Sequence, residues 1–149
     1  MAKVRDYKEK RFAKMLEKNA PYFGCYLIDV PDVVPTKYNI RRRKKGKGKT
    51  IAAKRRPCDS ILVTPKTNIM LELKAETNPS KHQRETAEKV YNKNGKFFIL
   101  RKTIDVKKEQ GRVEKIDTTY SVEVWNTKSH QTIFECDDLE ELFGYFLRI

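Results

Sequence analysis

The sequence predicts an α/β protein, a mixed central sheet flanked by helices, and three observations carry that prediction. Helix-period stretches stand near the start, middle and end, at residues 7–19, 80–93 and 139–147. β-branched and aromatic runs lie between them, at 22–30, 61–63, 69–73, 96–100, 120–125 and 132–135. The chain has 149 residues and no internal repeat, the size of one domain with a substantial core.

Each element has its own justification. From Tyr7 to Asn19, Phe12, Met15 and Leu16 recur among charges, the pattern of an amphipathic helix that stops before Pro21. Tyr22–Val30 is aromatic and β-branched and reads as a strand, broken by Pro31 and Pro35. Two apolar runs, Ile61–Val63 and Ile69–Leu71, flank the turn Thr64-Pro65-Lys66-Thr67-Asn68 and predict a β-hairpin. A linker from Ala75 to Pro79 leads to a helix over Ser80–Lys93, with Gln83, Ala87, Val90 and Tyr91 on its buried face. Asn94-Gly95 closes that helix, and Lys96–Leu100 is a buried strand, which makes the crossover parallel. Thr103–Thr119 is polar with Gly111 inside, a loop or an exposed hairpin. Two alternating strands follow. Asp137 or Asp138 then caps a helix with Leu139, Leu142, Phe143, Phe146 and Leu147 on one face, for the core or for a dimer contact.

Charge narrows the function classes. Lysine and arginine number 33 against 20 acidic residues, a net charge of +13, and the isoelectric point is near 9.7. Such an excess favours an anionic polymer as partner, nucleic acid before membrane. No apolar run approaches the ~20 residues of a membrane span, and MAKVRDYKEKRF lacks the apolar core of a signal peptide. A cytoplasmic protein is expected. Cys25, Cys58 and Cys136 are scattered without CxxC spacing, so neither a disulfide framework nor a zinc site is expected.

The hairpin is where chemistry concentrates. Glu72 and Lys74 share one strand face while Leu71 and Leu73 take the other. A turn near Pro65–Lys66 sets Asp59 opposite Glu72–Lys74, within about 5 Å of its partner. Two carboxylates held together suit a hard divalent cation with oxygen ligands, and magnesium needs only one or two of them. A lysine beside such a cation can orient the attacking water or stabilise charge on a phosphate. Alone, Glu-x-Lys is an ordinary surface charge pair. Asp59 at the mouth of the preceding strand and the basic chain are what add to it.

Asp59, Glu72-Leu73-Lys74, His82-Gln83 and the strand after Gly95 resemble the core of the PD-(D/E)XK nuclease superfamily, over roughly residues 10 to 101. Within it the likeness is to RecU-type Holliday-junction resolvases and VRR-NUC nucleases. The resemblance implies a restriction-endonuclease-like core of order αβββαβ and a Mg2+-dependent endodeoxyribonuclease, with Mn2+ as the other candidate metal. It puts Asp59, Glu72 and Leu73 at the metal, Lys74 on the attacking water, and Gln83 and Glu17 in the site. Read from the residues alone, Gln83 completes a Ser80-x-x-Gln83 capping box, and Glu17 is a solvated helix residue paired to Lys14 or Lys18. Arg56-Pro57-Cys58-Asp59 departs from the Thr-Thr-Asp run of the resolvase branch, which keeps the aspartate and leaves the substrate open.

The segment 41–56 holds ten basic residues and no acidic one: Arg41, Arg42, Arg43, Lys44, Lys45, Lys47, Lys49, Lys54, Arg55 and Arg56. Gly46 and Gly48 loosen it, and it reads as an insertion that binds phosphates without reading sequence. Lys81 and His82 are expected to face phosphates as well. A resolvase needs two symmetric nicks, hence a homodimer on branched DNA, with Phe143–Leu147 or Tyr22–Val30 as the contact. The alternatives are a flap or single-strand nuclease and a non-catalytic basic nucleic-acid-binding protein.

Overall fold

The computed structural model describes residues 2–31 and 56–149, without the side chains of 2–7, 107 and 113–116. The basic residues 41–55 expected to bind DNA therefore lie outside the described residues. Helix α1 (Ala2–Asn19) leads through a 3-10 turn (Ala20–Phe23) to β1 (Tyr26–Asp29), and β2 (Ser60–Val63) and β3 (Asn68–Lys74) form the hairpin. Then come α2 (Lys81–Asn92), β4 (Phe97–Glu109), β5 (Arg112–Trp125), β6 (His130–Cys136) and α3 (Leu139–Arg148). The fold is α/β, as expected. Its six strands lie in sequence order, every neighbouring pair antiparallel except the parallel β3–β4, which α2 connects.

The expected strand over Tyr22–Val30 is mostly something else. Pro21 opens the 3-10 turn, and Gly24, at φ 73°, reverses the chain so that pairing begins only at Tyr26. The turn is anchored by Phe23, which stacks on Phe143 of α3 at 4.7 Å between ring centroids.

Two apolar layers sandwich the sheet. Phe12 and Leu16 of α1 and Leu142, Phe143 and Phe146 of α3 pack with Leu71, Leu73, Phe98, Leu100 and Val122. Across the sheet, Ala87 and Val90 of α2 pack with Cys58, Met70, Phe97, Ile99 and Trp125. The apolar face of α3 is thus spent in the core, not held for a dimer contact. Its N-cap is Asp138, whose side chain accepts from the Glu141 N–H. Tyr91, expected to be buried, is half exposed, because it lies at the edge of the stripe that Ala87 and Val90 centre. Past α2, Asn94 takes a left-handed conformation, and Gly95 passes so close to Val90 that a Cβ would meet its side chain at 2.6 Å.

Thr103–Thr119 is a hairpin, and it is one continuous extension of β4 and β5. Beyond Arg101 and Tyr120 these strands pair only with each other among the described residues, down to Glu109 opposite Arg112. Gln110 and Gly111, both with positive φ, make the tight turn that a two-residue connection requires. Because β4 runs parallel to β3, this ribbon leaves the sheet at the end where β3 finishes in Lys74.

Candidate metal centre

The β2–β3 register, Ser60 opposite Leu71, carries Asp59 one step further to face Glu72. Asp59 is pinned on all sides. Its N–H donates to the Leu71 carbonyl (3.1 Å), and its carbonyl accepts from Val30 (3.0 Å). Oδ2 accepts from the Leu73 N–H (2.8 Å), and Arg56 forms an ion pair with Oδ1. The same arginine donates to the Val30 carbonyl (3.1 Å). Arg56, assigned from the sequence to the phosphate-binding segment, is thus a partner of Asp59 at the site.

Glu72 is 2 % exposed, and its carboxyl is pushed up to about 8. Burial is the main cause; the neighbouring Asp59 charge and a hydrogen bond between the two carboxyls add to it, while Lys74 and Arg56 pull the other way. Gln83 reaches across from α2, its Nε2 donating to Glu72 Oε1 at 2.6 Å. Its other amide atom, Oε1, accepts from the Ser80 N–H (2.8 Å), and Ser80 Oγ accepts from the Gln83 N–H (3.2 Å). Both readings of Gln83 hold at once. The capping box orients the amide, and the amide then holds the carboxyl.

Lys74 lies on the Glu72 face, half-buried, and no described carboxylate sits within an ion-pair distance of it. Beneath the centre, Cys58 is fully buried and donates to the Ser60 carbonyl (3.3 Å). Burial first, then the charges of Glu72 and Asp59, push its thiol up to about 12. It stays a thiol and offers no metal ligand.

Glu17 is not in this group. Leu16 and Phe12 bind α1 to the Leu71–Leu73 side of β3, whereas Glu72 faces α2, and Glu17 itself is exposed. Among the described residues the one cluster of three close carboxylates is Asp137, Asp138 and Glu141, at the exposed start of α3, where capping accounts for it. His82, expected to face phosphate, is half-buried, with Nε2 enclosed and without a hydrogen-bond partner. Lys81 is exposed.

The donor set fits a hard cation. Asp59 and Glu72 bring their oxygens together, and this crowding adds to the burial that pushes the Glu72 carboxyl up; positive charge between them would offset both. Leu73 turns its N–H to Asp59, and strand geometry places its carbonyl on the same side.

Sequence reasoning missed a buried charged group beside the centre. Arg101, in register with Lys74, pairs with Glu123 (Nε to Oε2, 2.8 Å), and Trp125 Nε1 donates to Glu123 Oε1 (2.8 Å). The one signal available was the alternation of Ser121, Glu123 and Trp125 with Val122 and Val124, which reads equally well as a solvent face. Across the end of β3, on the α1 side, the lining of a cleft of about 280 Å³ includes Lys8, Arg11, Phe12, Glu76, Lys102 and Ile104.

No family model, no curated protein and no solved structure matches this chain. No helix among the described residues is long and apolar enough to cross a membrane.

Proposed function

We propose that the protein is a metal-dependent endonuclease of the PD-(D/E)XK type, built on a restriction-endonuclease-like core and cutting branched DNA. One observation carries the reading: Asp59, Glu72, Lys74 and Gln83, spread over 25 residues of sequence, meet at one end of β3 with Glu72 buried and crowded into its neutral form. A buried glutamate crowded by a second carboxylate opposes folding, and such a group is a mark of a functional site.

Asp59, Glu72 and the Leu73 carbonyl would hold Mg2+, or Mn2+ in its place. When bound, the ion polarises the scissile phosphate and makes its water a better nucleophile. Gln83 keeps the Glu72 carboxyl aimed inward. The Lys74 ammonium orients the attacking water and stabilises the negative charge that builds on the phosphoryl oxygens as the new P–O bond forms and one ester P–O bond breaks. Past the end of β3, on the α1 side of the sheet, Lys102 offers positive charge to a neighbouring phosphate, while Lys8 is paired with Glu76. Two-fold pairing would use β1, an edge strand on which Tyr26 is 63 % exposed and Ile28 is also open. The protein would act on DNA in the cytoplasm.

The test is cleavage of labelled four-way junction, flap, single-strand and linear duplex DNA, with and without Mg2+ or Mn2+, by wild type, Asp59→Asn and Lys74→Ala. Metal-dependent nicking of junctions that both variants lose supports the reading. Preference for flaps or single strands moves the substrate. The Arg56–Asp59 ion pair favours one second reading, a non-catalytic nucleic-acid-binding protein in which the charges satisfy one another. Binding without cleavage in either metal would establish that instead.

A further inference from the structure

We infer that Arg101, fixed by Glu123, is a positioning residue that sets Lys74 and Gln83 on either side of Glu72. Its geometry stands without the nuclease reading; its consequence for cleavage rests on that reading.

Arg101 is the β4 register partner of Lys74, so its side chain lies on the face of the candidate centre. A basic residue there would ordinarily be taken for a phosphate ligand, but its hydrogen bonds run inward. The side chain is 15 % exposed, and its three nitrogens meet five acceptors. Nε and Nη2 grip Glu123 (2.8 and 3.5 Å). Nη1 donates to the carbonyls of Ala75 (3.2 Å) and Thr77 (2.9 Å), and Nη2 also reaches Asn78 Oδ1 (3.4 Å). Those five acceptors match the five N–H donors of a guanidinium.

The bonded carbonyls belong to the segment that leaves Lys74 and arrives at Ser80. This segment belongs to no strand or helix. Its side-chain ties to α1 include Lys8–Glu76, which is exposed, and a long Thr77–Glu9 hydrogen bond. The buried fork is the stronger restraint. At the far end of the segment, Ser80 orients the Gln83 amide, and through it the Glu72 carboxyl. Glu123 grips α2 a second time through Trp125, because the Arg84 guanidinium lies 4.5 Å from the Trp125 ring centroid. One buried carboxylate thus fixes the exit of Lys74 and the placement of Gln83 together.

Arg101→Ala would strand Glu123 in the core and could prevent folding. The experiment therefore uses Arg101→Lys, which keeps the charge and loses the fork, and the double variant Arg101→Met with Glu123→Gln, which removes both charges and keeps an acceptor for Trp125. Amide hydrogen exchange of the metal-free proteins, Mg2+ titration calorimetry, and single-turnover cleavage with DNA affinity are measured. Expected are loss of protection at residues 75–84 with β4 and β5 still protected, Mg2+ affinity about 10 to 100-fold weaker, and slower cleavage at unchanged DNA affinity. Folded variants that keep wild-type protection and Mg2+ affinity would overturn the inference. So would a fall in DNA affinity and in its salt dependence with Mg2+ affinity unchanged, the mark of a phosphate ligand. If the wild type cuts nothing in either metal, the nuclease reading fails by itself. The exchange pattern then decides the positioning role alone.

Discussion

On β3 the side chains of Ile69, Leu71 and Leu73 enter the layer of α1 and α3, whereas Met70, Glu72 and Lys74, interleaved with them, face α2. Leu73 and Glu72 are equally buried, yet burial acts on them with opposite sign. Leu73 gains roughly 2 kcal/mol by leaving water; Glu72 must give up its charge to do so. Strand alternation lets one seven-residue segment anchor the core and present a costly group at the same time. The layer beneath supplies the stability that the other face consumes.

The sharpest way to break this contrast is to alter the α2 face and find the core affected. Lys74→Ala should lower cleavage by about 10² to 10⁴-fold while urea unfolding barely changes, because Lys74 has no described ion-pair partner to lose. Conversely, Leu71→Ala should destabilise the protein by about 2 to 5 kcal/mol, read from the urea midpoint, with Mg2+ affinity retained in the folded fraction.

A pH series sharpens the comparison. The folded Glu72 carboxyl sits near 8, against an ordinary value near 4.5. Below 4.5 both folded and unfolded forms keep the proton. Between 4.5 and 8 the unfolded chain releases it and the folded chain does not, so stability falls as pH rises through that window. In EDTA, Glu72→Gln should therefore exceed wild type in stability by on the order of a few kcal/mol at pH 9. The two should converge near pH 4.5, and saturating Mg2+ should close the gap at pH 9. An equal difference at both pH values would mean that Glu72 is not held neutral. The smallest expected effect is that of Glu17→Ala, an exposed residue of the helix on the apolar side. Its stability should stay within about 0.5 kcal/mol of wild type, with Mg2+ affinity and cleavage unchanged.

The parts of this arrangement legible in the sequence are those fixed locally. The Thr64–Asn68 turn and the alternation after it set the register that brings Asp59 to Glu72, since a slip of one residue would put Leu71 and Leu73 into the polar face. Ser80-x-x-Gln83 marked the start of α2 for the same reason. What was not legible depends on pairings between distant segments. Arg101 faces Lys74 only because β4 lies parallel to β3, and Glu123 meets it only across the next antiparallel pair. Arg56 looked like one more member of a basic run, and its role as the partner of Asp59 follows from the fold of the residues after it. Residues 103–119 left a loop and an exposed hairpin both open, because their described side chains, on strands paired only with each other, gain no buried face to impose alternation.

That ribbon bears on how the protein behaves in solution. Its two outer edges carry backbone donors and acceptors without a neighbouring strand among the described residues, the kind of edge along which one chain adds to another. Ile104 and Val106, both 47 % exposed, would favour such addition. The exposed charges of Asp105, Lys108, Glu109, Arg112 and Asp117 and the strong net charge of the chain oppose it. Salt therefore pulls the molecule in two directions. It loosens the grip of a +13 chain on any polyanion, and it screens the repulsion that holds ribbons apart, over a distance of about 8 Å at physiological ionic strength. Salt high enough to strip a polyanion from such a chain would also draw its ribbons toward self-association.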